Sequence, residues 1–226
     1  MPKLVTTMNI HEDTVLRRAL LLGVPAAYCA LMTLHPTENP TLGDDVGFWM
    51  VIHVVQLFLI GGMSCIIWVL TAGSTGTAAR VGRAFILPYA ITYSAFDAMA
   101  GLAAGALVRV ANEADPAGQA EAQRIVDRMG ETEPAGIVFY VVLALCWLAA
   151  MGGAVLSLRG SIPTGAFVLL ALGTVVFALG HPRPVGPTGM GLILVGMVWM
   201  ELSPRRPEAS LVERDQPPLV APTARS

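Results

Sequence analysis

A chain of 226 residues with 13% charged and 54% hydrophobic side chains, and a mean hydropathy of +0.64, departs from soluble domains, which carry about 25% charged residues. Its composition excludes a water-exposed globular surface. Its net charge of −2 gives no basic face for nucleic acid, so nucleic acid is not among the expected partners.

Six apolar runs follow one another, at about 18–34, 47–71, 84–108, 135–158, 164–180 and 186–202. Each is bounded by charge, proline or glycine, and together they predict an all-α integral membrane bundle of six transmembrane helices. A bilayer core of about 30 Å needs about 20 helical residues. The first, fifth and sixth runs are short for this, and tilt or local thinning must absorb the difference. The expected organisation is a cytoplasmic N-terminal segment (1–17), the transmembrane domain (18–202) and a proline-rich cytoplasmic tail (203–226) expected to be disordered.

Arg17-Arg18 before a short apolar stretch ending at Ala27-Tyr28-Cys29 also fits a signal peptide. The bulky Tyr28 and the continuation of the run to Leu34 favour an uncleaved helix. Orientation follows from the flanking cations. With the N-terminus inside, Lys3, Arg17, Arg18, Arg80, Arg83, Arg159, Arg205, Arg206, Arg214 and Arg225 are cytoplasmic, leaving only Arg109, Arg124, Arg128 and Arg183 outside. Both termini are therefore expected in the cytoplasm, in what reads as a bacterial cytoplasmic membrane. Between the third and fourth runs, Ala122, Ile125, Val126 and Met129 fall at helical spacing, predicting a short extracytoplasmic amphipathic helix closed by Gly130.

Polar groups inside apolar runs carry most of the information, because a charge at mid-bilayer costs about 2.5–3.5 kcal/mol on insertion scales. Asp97 is the one acid deep in a span. Tyr89, Tyr93, Gly101 and Gly105 share its stripe at four-residue steps. Gly101 and Gly105 form a small-xxx-small pattern that favours close helix packing. On the second run, His53, Gln56 and Ser64 lie roughly on one face. At 1.5 Å per residue, Gln56 and Asp97 sit at similar depth, about 14 and 16 Å from the outer boundary. The short connection 72–83 makes these two helices antiparallel neighbours. His53, Gln56, Tyr93 and Asp97 are thus the expected ligand or proton site, with Asp97 paired to His53 or Gln56. The competing reading is plain interhelical hydrogen bonding, worth about 0.6 kcal/mol on average.

A second group lies at the outer rim. His35 and His181 end two runs, each before a proline, with Glu38, Asp44 and Asp45 nearby. Imidazoles and carboxylates suit a transition metal, although no metal-ligand spacing is present and His-Pro also serves as a helix stop. Trp49 and Trp199 are expected in interfacial belts, Glu201 at the inner boundary, and Met190, Met197 and Met200 in packing.

Cys29, Cys65 and Cys146 lie in apolar runs without Cys-x-x-Cys spacing. No P-loop, nucleotide-binding glycine fingerprint or nucleophile elbow occurs. The expected function is binding or moving a small solute or proton, or serving as a subunit of a membrane assembly, with the lipid bilayer and other membrane subunits or further copies as partners. Two alternatives stand beside it. One is a metal- or haem-dependent enzyme or redox protein using His53 and Asp97 with His35 or His181; the other is a structural helix-packing partner. No particular cofactor is indicated.

Overall fold

The computed structural model describes residues 14–36, 39–43, 45–129, 134–180 and 183–203, with backbone alone for 134–136. The expected tail, His11, Glu38, Asp44, Gly130 and His181 lie outside the described residues. Helices account for 84% of the described residues, with no strand among them. They are α1 (Thr14–Leu34), α2 (Val46–Thr71), α3 (Thr77–Ala111), α4 (Pro116–Met129), α5 (Pro134–Ser157), α6 (Thr164–Ala178) and α7 (Val185–Leu202).

Local chemistry sets several of these boundaries. The Asp45 carboxylate caps α2 by accepting from the Gly47 N–H at 2.9 Å. At the other end of α2, Gly73 takes φ +75°, a left-handed conformation that glycine adopts without a Cβ penalty. The Arg83 guanidinium then donates to the carbonyls of Thr71 and Ser74 at 2.6 and 3.0 Å, satisfying groups the helix end leaves open. α3 begins seven residues before its apolar run: Arg83 is helical and bound to the connection, and Arg80 is helical and exposed, reaching Thr77 of its own first turn.

Among the described residues, five helices are long and apolar enough to cross a membrane: α1, α2, α3, α5 over Ile137–Ser157, and α7. α6 has 15 residues, about 22 Å of helix, short of a 30 Å core. Two helices contain wide turns of π type, at Ala19–Gly23 in α1 and Asp97–Ala103 in α3. The first adjoins Pro25, which removes a donor from the helical ladder. No proline explains the second, and such turns gather at functional positions.

The closest pairings are α3 with α5, α6 with α7, α2 with α3, and α1 with α7. Glycine makes the tightest of them. A Cβ on Gly153 would lie 2.6 Å from the Gly82 backbone nitrogen, and one on Gly189 2.6 Å from that of Phe177. α1 and α7 run antiparallel. Cys29 near the end of α1 donates to the Pro187 carbonyl near the start of α7, at 3.4 Å, and Arg17 at the start of α1 meets Glu201 at the end of α7, at 2.7 Å. Arg18 approaches the same carboxylate at 3.6 Å. Replacing Glu201 by Gln is expected to lower stability by about 1–3 kcal/mol, the scale of charge-assisted bonds, read as an earlier thermal unfolding midpoint in detergent.

The main core joins Tyr28, Met63, Tyr89, Tyr93, Trp147, Met151, Phe177, Met190 and Met197 with their aliphatic neighbours. A smaller one, of Val46, Ala104, Val108 and Val126, seats α4 against the ends of α2 and α3. Ala122 and Val126 of the expected amphipathic face are buried, whereas Ile125 is exposed. The connection before α2 is tied to the same end of the bundle, since Leu42 and Gly43 N–H groups donate to Gln123 and Asn112 at 3.1 and 2.9 Å.

Candidate functional site

The buried faces of α1, α2 and α3 converge on a run of polar side chains. On α1, Tyr28 and Met32 are buried on one face, and His35, seven residues from Tyr28, continues it past the helix end. On α2 the buried stripe is Trp49, His53, Gln56, Ile60 and Met63. On α3 it is Tyr89, Tyr93, Asp97, Gly101, Ala104 and Val108.

At the rim end, His35 and His53 face one another, each about 3% exposed. Their Nε2 atoms are 3.3 Å apart, with ring centroids separated by 5.0 Å at an interplanar angle of 71°. Each Nδ1 lies against a backbone carbonyl: that of Pro36 at 2.6 Å for His35, and that of Trp49 at 2.8 Å for His53. Burial holds His35 below its ordinary pKa; Arg183 acts in the same direction and the Pro36 carbonyl against it.

The Trp49 indole packs on His53 and donates to the Gly101 carbonyl at 2.8 Å. Trp49 is therefore not the interfacial residue expected from its position near the start of a span. It is 7% exposed, because the α3 wide turn presents a carbonyl to its N–H. Trp199, by contrast, is 47% exposed. Gly101 and Gly105 both lie against α2. A Cβ on Gly101 would be 2.0 Å from His53 Cδ2, and one on Gly105 2.9 Å from Met50 Cγ.

One to two turns deeper, the Gln56 amide donates to the Tyr93 hydroxyl at 3.3 Å. Asp97 is 2% exposed. Its pairing with His53 or Gln56 is not observed: His53 is engaged with Trp49 and His35, and Asp97 Oδ2 has no hydrogen-bond partner. Gln56 Oε1 and Tyr89 Oη are likewise buried without partners. The Tyr28 hydroxyl lies beside that of Tyr93, with Tyr89 and Asp97 in its electrostatic reach.

Beside these groups Tyr89, Tyr93, Tyr140, Trp147 and Phe177 line a small cleft between α3, α5 and α6, with about 20 Å³ of free space. That is room for one water rather than for an organic solute. Trp147 is itself held by a bond from its indole to the Thr174 carbonyl at 2.8 Å.

The sequence reading groups His53, Gln56, Tyr93 and Asp97, places His35 in a rim group, and joins His35 to His53 only in the metal or haem alternative. It passed over Tyr28 as a site residue, although the Tyr28–His35 spacing of seven marks one helical face. Asp45, the described carboxylate of that rim group, is used as a helix cap. Among the described residues, no three His, Cys, Asp or Glu side chains converge as a metal set would.

The fold and this internal polar seam define a multi-pass helical membrane protein. Compared with family models, curated proteins and solved structures, the chain matches none of them.

Proposed function

We propose that this protein binds and passes protons, or a very small polar solute accompanied by a proton, at an intramembrane site formed by Asp97, Tyr93 and Gln56, with His53 and His35 leading to the outer side. The observation that carries this reading is Asp97 itself, an acid 2% exposed within a span whose Oδ2 has no protein partner. A bare carboxylate is costly there, whereas a carboxyl that holds a proton or meets a transient ligand is tolerated. Gln56 Oε1 and Tyr89 Oη, also unpartnered, add hydrogen-bonding capacity of the kind a proton path uses. The small cleft argues for a proton or water over a larger solute.

Infrared spectroscopy of the protein in lipid nanodiscs tests the proton-holding role. A band from a protonated buried carboxyl is expected at neutral pH and should vanish in Asp97→Asn. Its absence in the wild type would remove the basis of the proposal.

The reading carries a topology of six crossings with both termini cytoplasmic, α6 included and α4 on the outer face. The ten-to-four division of cations supports it, counted on the sequence. So does the Arg17–Glu201 ion pair, which brings the start of α1 and the end of α7 to one end of the bundle. Single cysteines introduced into a cysteine-free background at 116–129 should be labelled from outside intact cells, and those at 210–220 should not. Labelling of the 210–220 positions from outside would overturn the orientation, and would leave α6 as a helix that does not cross if the 116–129 positions are labelled too.

A further inference from the structure

All four tyrosines of the chain gather in one part of the bundle. Tyr89, Tyr93 and Tyr140 line the cleft between α3, α5 and α6, and the hydroxyl of Tyr28 lies beside that of Tyr93. Phenylalanine would fill the same walls, as Phe177 does on the facing helix. Four hydroxyls in an apolar interior are therefore more than packing.

Tyr89 is the sharpest case. Its side chain is fully buried and its Oη has no hydrogen-bond partner in the protein, a costly state for a group that both donates and accepts. The nearest indole offers nothing, because the Trp147 N–H is committed to the Thr174 carbonyl. One water needs about 10–15 Å³ of free space and two to four polar partners. The cleft has about 20 Å³, lined by three tyrosines. It is thus large enough for a water and too small for an organic ligand.

The cleft also has a direction. α3 and α5 run antiparallel, with Phe96 stacked on Phe139 at one end and Gly82 against Gly153 at the other. At the glycine end the backbones touch, since a Cβ on Gly153 would lie 2.6 Å from the Gly82 nitrogen. Tyr140, Ala144 and Ala178 are half-buried, whereas Tyr89, Tyr93 and Trp147 are buried. The mouth is therefore at Tyr140, six residues from the start of α5, and Tyr89 lies toward the closed end.

We propose that this cleft is a water-binding site and the hydration inlet of the proton site, holding one water anchored by the Tyr89 hydroxyl. Its occupancy stands on the cleft alone, whereas its role rests on the proton reading of Asp97. The water meets the Tyr93 hydroxyl, which accepts from the Gln56 amide, so the polar seam of α2 and α3 is continued to the gap between α5 and α6. Each hydroxyl along it gives its proton to the next oxygen as it receives one from the last, so that none is left ionised. Tyr89 is a positioning residue there.

The test is a crystal structure of the full-length protein at a resolution that shows ordered water, together with proton movement in reconstituted vesicles. In the wild type, one water is expected within about 2.5–3.0 Å of Tyr89 Oη. Tyr89→Phe should lose that water with its ring unmoved, keep the infrared band of the Asp97 carboxyl, and slow proton movement severalfold. If Tyr89→Phe does not fold, Ala144→Leu, which narrows the mouth, should slow proton movement in its place. A dry cleft in the wild type, or a water that stays in Tyr89→Phe, would overturn the binding site even where the carboxyl band is present. A bound water in a wild type without that band would overturn the inlet role and leave the binding site standing. Undiminished proton movement in a Tyr89→Phe protein that has lost its water would likewise overturn the inlet.

Discussion

Replacing Gly101 by alanine is expected to destabilise the protein by about 3 kcal/mol, the upper end of overpacking costs. The added Cβ would stand 2.0 Å from His53 Cδ2, 2.3 Å from its Cγ and 2.8 Å from its Cβ. Rotating the ring cannot relieve the last of these. Moving the ring also breaks its contacts with the Trp49 carbonyl and with His35. Gly105 provides the internal comparison, because it lies on the same stripe and faces the same helix. There the new methyl would meet Met50 Cγ at 2.9 Å and Trp49 Cδ1 at 3.0 Å, and the unbranched methionine can yield. Gly105→Ala should therefore cost about 1 kcal/mol and leave the histidines in place. Thermal unfolding of both variants in one detergent separates them. Equal losses in the two would mean that the α2–α3 contact is looser at His53 than its geometry implies.

How far such features can be read in advance depends on whether they repeat along one helix. Apolar periodicity locates the helices to within a few residues, because every turn of a span restates the same requirement. The largest difference is at the start of α3, where the backbone stays helical through Arg80 and Arg83 after the apolar run has ended. The stripe from Tyr89 to Gly105 and its approach to α2 follow from four-residue spacing and a short connection. The pairing of His35 with His53 does not. The seven-residue spacing from Tyr28 puts His35 on the buried face of α1, but its meeting with His53 also depends on the extended backbone beyond Leu34. The wide turn at Asp97–Ala103 is hidden for a similar reason. No proline marks it, and its Gly101 carbonyl accepts from the Trp49 indole across the helix contact. Trp49 is misplaced by a positional rule about membrane boundaries, since a tryptophan near a span end can equally turn inward when a carbonyl there accepts its N–H.

Asp97→Asn is expected to fold as the wild type does, with a thermal midpoint equivalent to within about 1 kcal/mol, and to slow proton movement in reconstituted vesicles at least tenfold. Asparagine keeps the shape and the hydrogen-bonding capacity of a neutral carboxyl, and loses only the ability to take up and release a proton. Asp97→Leu sharpens the argument. Were the acid there for structure, removing it should destabilise the bundle. Yet Oδ2 has no hydrogen bond to lose, and insertion scales charge about 2.5–3.5 kcal/mol for an acid at the centre of a span. The leucine variant should therefore match or exceed the wild type in stability while being as inactive as the asparagine variant, the pattern of a residue kept for function at the expense of stability. Proton flux that survives in Asp97→Asn, together with a lowered midpoint in Asp97→Leu, would assign Asp97 to packing. The path would then have to run without it.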